Sequence, residues 1–206
     1  MKEFLIYFVG IFAVVDPLGV VPFWLSLAEK LKPETRIEVI KKTVFYVFII
    51  LFTFLVIGNA ILKFFNISLV SIRIAGGIML FIEAITLIKG TGASHQLKND
   101  EIDVKKVAFT PLAMPLLSGP GSIAVILGIS GNLGYLWDSP FSFFYAILAI
   151  LCVSLIIFII LLSSNKLRKY IPITAINSIS HFMGFILLSI SVQFLIDSFI
   201  EILKTH

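Results

Sequence analysis

Long apolar runs separated by short polar segments dominate the chain. A helix rises about 1.5 Å per residue, so crossing about 30 Å of hydrocarbon takes about 20 mostly apolar residues. Six stretches qualify: 4–28, 43–62, 67–88, 107–137, 140–165 and 170–196. Little chain is left over, and the pattern predicts an all-α polytopic membrane protein forming a single domain over residues 1–206.

The only sizeable polar segment, 90–106, divides the chain nearly in half. Residues 1–89 and 107–206 each hold three spans, with 90–106 as the linker. An odd number of spans per half makes the second half enter the membrane from the opposite side. The expected architecture is therefore two inverted three-span repeats, a plan common among secondary transporters. The letters carry a faint echo of it. A shift of 108 residues lays Arg73-Ile74-Ala75-Gly76 on His181-Phe182-Met183-Gly184.

The apolar pattern has two exceptions near mid-span. Asp16 sits in the first span with 12 uncharged residues on either side, which predicts a carboxylate near the bilayer midplane facing protein or water. Pro17 removes a backbone donor and Gly19 relaxes the dihedral limits, with Pro22 one turn on. Asp followed by Pro also reads as a helix start, which places the end of one helix near Val15 and the start of another at Asp16. A kinked continuous helix would accommodate the same letters.

The fourth span runs 31 uncharged residues, about 46 Å as straight helix, too long for one simple crossing. Pro111, Pro115, Gly119, Pro120 and Gly121 crowd its first half, while Gly128, Gly131 and Gly134 are expected to loosen its end into a loop closing at Trp137 and Asp138. Ser118-Gly119-Pro120-Gly121-Ser122 offers hydroxyls and free amides at membrane depth. Irregular backbone is tolerated there only where protein or a cavity covers it. Close packing of a kinked helix is the competing explanation. Two discontinuous spans, one per half, would frame a small central pocket.

Composition agrees with the pattern. The chain is 59% hydrophobic and 14% charged, against about 45–50% and about 25% in soluble domains, and its mean hydropathy is +1.07. Disorder, nucleic-acid binding and an ordinary soluble enzyme fold are excluded. The formal charge of +4 matters through its position. Twelve Lys and Arg residues follow spans one, three and five, against three on the opposite side, which predicts a cytoplasmic basic side and both termini outside. A multi-pass protein of the inner cell membrane is expected, with no cleavable leader. The single Cys152 precludes an intramolecular disulfide and reads as a small buried hydrophobe.

The other polar residues are fewer. Arg73, Gly76, Gly77, Leu80, Glu83 and Ala84 share one face of the third span. Arg73 is expected near the outer boundary, snorkelling or capping carbonyls. Glu83 reads either as a proton-coupling carboxylate or as a hydrated rim residue. Ala75-Gly76-Gly77 predicts a close helix contact, and such small-residue patches also permit a homo-oligomer. His181 reads as a hydrogen-bonded structural residue, and Asp197 and Glu201 as solvated. His95, His181 and His206 lack metal-ligand spacing, and neither a phosphate loop nor a nucleophile elbow is present, so neither an enzyme, a metal nor a cofactor is expected.

Four segments, 8–28 with its D-P-L-G-x-x-P-F core, 72–81, 110–124 and 181–194, together resemble the MarC family of bacterial and archaeal membrane proteins, which includes SnatA-type transporters. The resemblance implies a six-span secondary transporter of glycine, alanine and similar amino acids, coupled to protons. Two positions depart from the family: Asp16 stands where Asn is usual, and His181 where Arg is usual. On this reading Asp16, Pro17, Leu18, Gly19 and Val20 together with Ser118, Gly119, Pro120, Gly121 and Ser122 bind substrate. The amides around Gly19, Val20, Gly121 and Ser122 take the carboxylate, Asp16 and Ser118 take the ammonium group, and Asp16 and Glu83 are candidates for proton coupling. An exporter of other small metabolites or drugs, and a non-transporting scaffold, are the alternatives.

Overall fold

The computed structural model describes residues 2–89, 104–135, 138–167 and 173–205, and among them every regular element is a helix. The stretch expected as a first span is broken, as expected, into α1 (Lys2–Val15) and α2 (Val21–Ala28). Pro33, at a favoured first-turn position, opens the long helix α3 (Pro33–Phe64). Ser68 caps α4 (Leu69–Ile88), its hydroxyl accepting from the Ser71 amide at 3.1 Å.

The second half begins with the short α5 (Val104–Val107) and continues through wide, π-type turns over Ala108–Leu117. Thr110 and Met114 are extended there, and each precedes a proline, whose ring disfavours helical backbone in the residue before it. Then come α6 (Pro120–Leu133), α7 (Pro140–Leu167) and α8 (Ile173–Thr205).

Packing follows a regular scheme. The first helix lies on α7 and segment 108–117 lies on α3, α4 runs along α8, and α6 fits between α3 and α4. Lipid is as apolar as the side chains, so close approach and hydrogen bonds hold such a bundle, not the removal of apolar surface from water. Small residues sit accordingly at the crossings. Gly76 of α4 lies so close to Ala124 of α6 that a Cβ there would meet the Ala124 Cβ at 2.5 Å, which fulfils the close contact expected of this patch. The fully buried Trp24 pins α2 to α7, its Nε1 donating to the Leu161 carbonyl at 3.1 Å.

Among the described residues, four helical stretches, Pro33–Phe64, Leu69–Ile88, Pro140–Ser164 and Ser178–Lys204, are long and apolar enough to cross a bilayer, and Pro120–Leu133 is a shorter apolar helix. Their outward faces carry exposed Phe81, Ile82, Phe182, Phe185 and Phe199, suited to hydrocarbon.

Several boundaries differ from expectation. The second helix of the first span starts at Val21, not at Asp16. Asp16 instead terminates α1 in the left-handed region at φ 43°, its N–H still bonded to the Phe12 carbonyl at 3.1 Å. It takes the place usually held by glycine just past a helix end. Gly128 and Gly131 do not loosen α6, which runs through both and stops at Gly134. The basic stretch after α2 is largely helical, with Glu38 and Lys42 paired at 2.6 Å one turn apart. Most of the expected linker, 90–103, and Trp137 lie outside the described residues.

Candidate functional site: two breaks in contact

Each break leaves a different polar group unsatisfied. At the first, Asp16 is buried, and its Oδ1 accepts from the Gly19 amide at 3.0 Å. Its Oδ2 is buried with no hydrogen-bond partner. Gly19 is required by that geometry, because a Cβ on it would lie 2.1 Å from Asp16 Oδ2. Pro17 and Val20 are buried beside the carboxylate in sequence, and Leu18 is half-buried.

At the second break, Ser118 is completely buried, its amide reaching back to the Ala113 carbonyl at 2.8 Å. Its hydroxyl, like Asp16 Oδ2, is buried without a partner. Gly119 caps α6 in extended backbone, Pro120 opens the helix, and Gly121 and Ser122 are buried in its first turn. Amides of a first turn have no acceptor within their own helix, and the helix dipole adds positive potential there.

The two breaks touch. The Ser122 hydroxyl shares its one proton between the carbonyl of Val14 in the last turn of α1, at 3.1 Å, and that of Leu117, at 3.2 Å. Residues 108 positions apart are thereby joined at one point. Replacing Ser122 by Ala should cost about 0.5–1.5 kcal/mol and lower the melting temperature in detergent. An unchanged melting curve would show that the link contributes nothing.

Glu83 joins the same neighbourhood. Leu80 and Ala84 on its helix face cluster with Val14, two residues before Asp16, and Glu83 itself is half-buried. The part of α4 that carries Glu83 thus packs against the end of α1 that leads into Asp16, although 67 residues separate the two carboxylates in the chain.

One expectation for the first break does not hold in this conformation. The Gly19 amide is occupied by the neighbouring Asp16 carboxylate, so it is not free to receive an anion. The first break therefore presents an acceptor, while donors gather at the start of α6.

Arg73 of α4 pairs with Glu201 of α8 at 2.6 Å. Glu201 is thus ion-paired, and Asp197 is exposed and accepts from Gln193 Nε2 at 2.7 Å. His181 is exposed on α8. Sequence reasoning passed over Asn59 of α3, which is buried, donates its backbone amide to Ser130 Oγ at 2.9 Å and leaves its own Nδ2 without a partner. The signal was present as a lone amide in the apolar run 43–62. Among the described residues, no cluster of His, Cys, Asp and Glu is arranged to hold a metal ion.

The family profile described as MarC family integral membrane protein matches residues 1–203. A UPF0056 membrane protein of Aquifex aeolicus is 36% identical over 213 residues, covering 99% of this chain and 97% of its own. A UPF0056 membrane protein of Pyrococcus abyssi is 34% identical over 197 residues, covering 96% and 94%. The UPF0056 membrane protein YvbG of Bacillus subtilis is 32% identical over 199 residues, covering 93% and 92%. These names specify neither an enzymatic activity nor a substrate. No solved structure matches the chain.

Proposed function

The chain belongs to the MarC family of integral membrane proteins, and from that premise we propose that it is a secondary transporter of small neutral amino acids such as glycine and alanine. The observation that carries this reading is the pair of buried, partnerless polar atoms at the two breaks, Asp16 Oδ2 and Ser118 Oγ. Buried polar atoms in native proteins are nearly always satisfied, so two orphans beside broken backbone suit a ligand that completes them. An ammonium group would be held by Asp16 and Ser118. The carboxylate of the same solute would meet the amides of Gly121 and Ser122. A zwitterion needs an acceptor and a set of donors side by side, and these breaks offer that combination.

The full architecture in this reading has six spans, with α1–α2 and 108–133 as the discontinuous ones. Two inverted halves are supported by the reciprocal packing, in which α1 lies on α7 as segment 108–117 lies on α3. Rocking of one half against the other would open the site alternately to the two sides. The termini face outward in this reading because Lys30, Lys32, Arg36, Lys41 and Lys42 collect at the opposite end of the bundle. Protons are the coupling ion, exchanged through Asp16 and Glu83.

Ligand-dependent stabilisation tests the reading. Glycine or alanine at about 100 times its dissociation constant should stabilise the solubilised protein by about 2.7 kcal/mol, raising the melting temperature by several degrees. The exporter alternative expects stabilisation by unrelated solutes instead. A scaffold expects stabilisation by none.

A further inference from the structure

A second polar constellation lies away from the breaks, at the end of the bundle where α4 begins and α8 ends. A cleft of about 190 Å³ opens there between α4, α6 and α8. Arg73, Asn132 and Asp197 line it together with the apolar Val125, Ile129 and Phe194. A cleft of that size is open to solvent and has room for a small solute.

The charges are arranged for a solute bearing both signs. Arg73 brings five N–H donors, of which the pair with Glu201 engages only a part. Asp197 brings a carboxylate from the next helix face, and Asn132 an amide that can donate or accept. The pair of Arg73 with Glu201 is solvent-accessible, the side chains being 31% and 48% exposed, and a pair of that kind is held weakly enough to exchange partners. An incoming carboxylate can take the place of Glu201 on the guanidinium with similar geometry.

We propose that this cleft is a binding site for a small zwitterionic α-amino acid, with Arg73 receiving its carboxylate, Asp197 its ammonium group, and Glu201 acting as the internal competitor for Arg73. The substrate class rests on the transport reading above, and the cleft adds a second station to it. Ala124, Gly128 and Asn132 recur at four-residue steps on α6, and the cleft follows that face toward Gly121, about 16 Å from Asn132 along the axis. None of Asp16, Gly19, Ser118, Gly121 and Ser122 lines the cleft, so it is a place distinct from the two breaks.

The competitor role gives the test its sign. Labelled alanine is titrated onto the intact solubilised protein and onto Arg73→Gln, Asp197→Asn and Glu201→Gln, and counterflow is measured with the same preparations in vesicles. Arg73→Gln and Asp197→Asn should each weaken alanine binding at the cleft about tenfold or more, since each removes a charge-assisted contact, and leave the second component of the titration, the breaks, unchanged. Glu201→Gln should strengthen binding at the cleft. A pair that merely braces α4 against α8 makes Arg73→Gln and Glu201→Gln shift binding in the same direction, and that result overturns the proposal. So does the absence of alanine binding to the unmodified protein. Opposite shifts without counterflow keep the cleft and remove the transport reading, whereas counterflow with unaltered binding by Arg73→Gln removes the cleft alone.

Discussion

Replacing Asp16 by Leu should abolish alanine transport and alanine binding at the breaks, leaving only the cleft at Arg73 and Asp197 to bind it, while Asp16→Asn keeps the fold. The carboxylate does two jobs at once. Through Oδ1 it closes the turn onto the Gly19 amide, and through Oδ2 it is the buried acceptor that an ammonium group would complete. Truncating one partner of a buried, hydrogen-bonded charge pair costs about 2–5 kcal/mol, or roughly 30-fold to several thousand-fold in affinity. Leucine also lacks the local hydrogen bonding that lets Asp or Asn occupy the left-handed region at φ 43°. Asparagine retains that conformation and an oxygen for Gly19, but puts an NH2 donor where Oδ2 stood, so both the charge and the acceptor for an ammonium group are lost. The melting temperature of Asp16→Asn should therefore stay close to that of the unmodified protein, while the response of transport to a proton gradient is lost. Full binding by Asp16→Leu, measured by equilibrium titration, would exclude the first break from the site.

Gly121→Leu should yield little folded protein. A Cβ at position 121 would meet Leu80 Cδ2 at 2.5 Å, and Leu80 is itself fully buried between α4 and α6. Gly121→Ala introduces that single atom and should cost about 1–3 kcal/mol through overpacking. Leu80→Ala alone should cost about 2–5 kcal/mol by leaving a cavity. Because the first change fills space that the second vacates, the double variant should be more stable than the sum of the two losses allows, by about 0.5–3 kcal/mol. Strict additivity in thermal melts would show that Leu80 and Gly121 do not oppose one another. The contact also matters for activity, because Gly121 and Ser122 carry the amides assigned to the substrate carboxylate.

What could be read from the letters and what could not divides along sequence distance. The end of α1 at Val15 and the start of α6 at Pro120 were signalled locally, by proline and glycine in apolar runs. So was the close approach at Gly76. Asp16 was misjudged as a helix start because Asp-Pro carries that signal equally well. Its left-handed backbone has no letter of its own when the residue is not glycine. Pairings between distant residues were out of reach. Ser122 with Val14, Arg73 with Glu201, and Leu80 and Ala84 with Val14 all depend on how the helices dock, which single-helix periodicity does not encode. Asn59 shows a further limit: one amide in an apolar run marks an exception to the pattern without naming its partner.

Counterflow of glycine or alanine into proteoliposomes tests the account most directly. Vesicles loaded with unlabelled alanine and carrying the purified protein should accumulate labelled alanine transiently above the outside concentration, whereas vesicles carrying Asp16→Leu should not. Protein that remains folded in the vesicles and yet exchanges neither amino acid would contradict the assignment of the paired breaks as an amino-acid transport site.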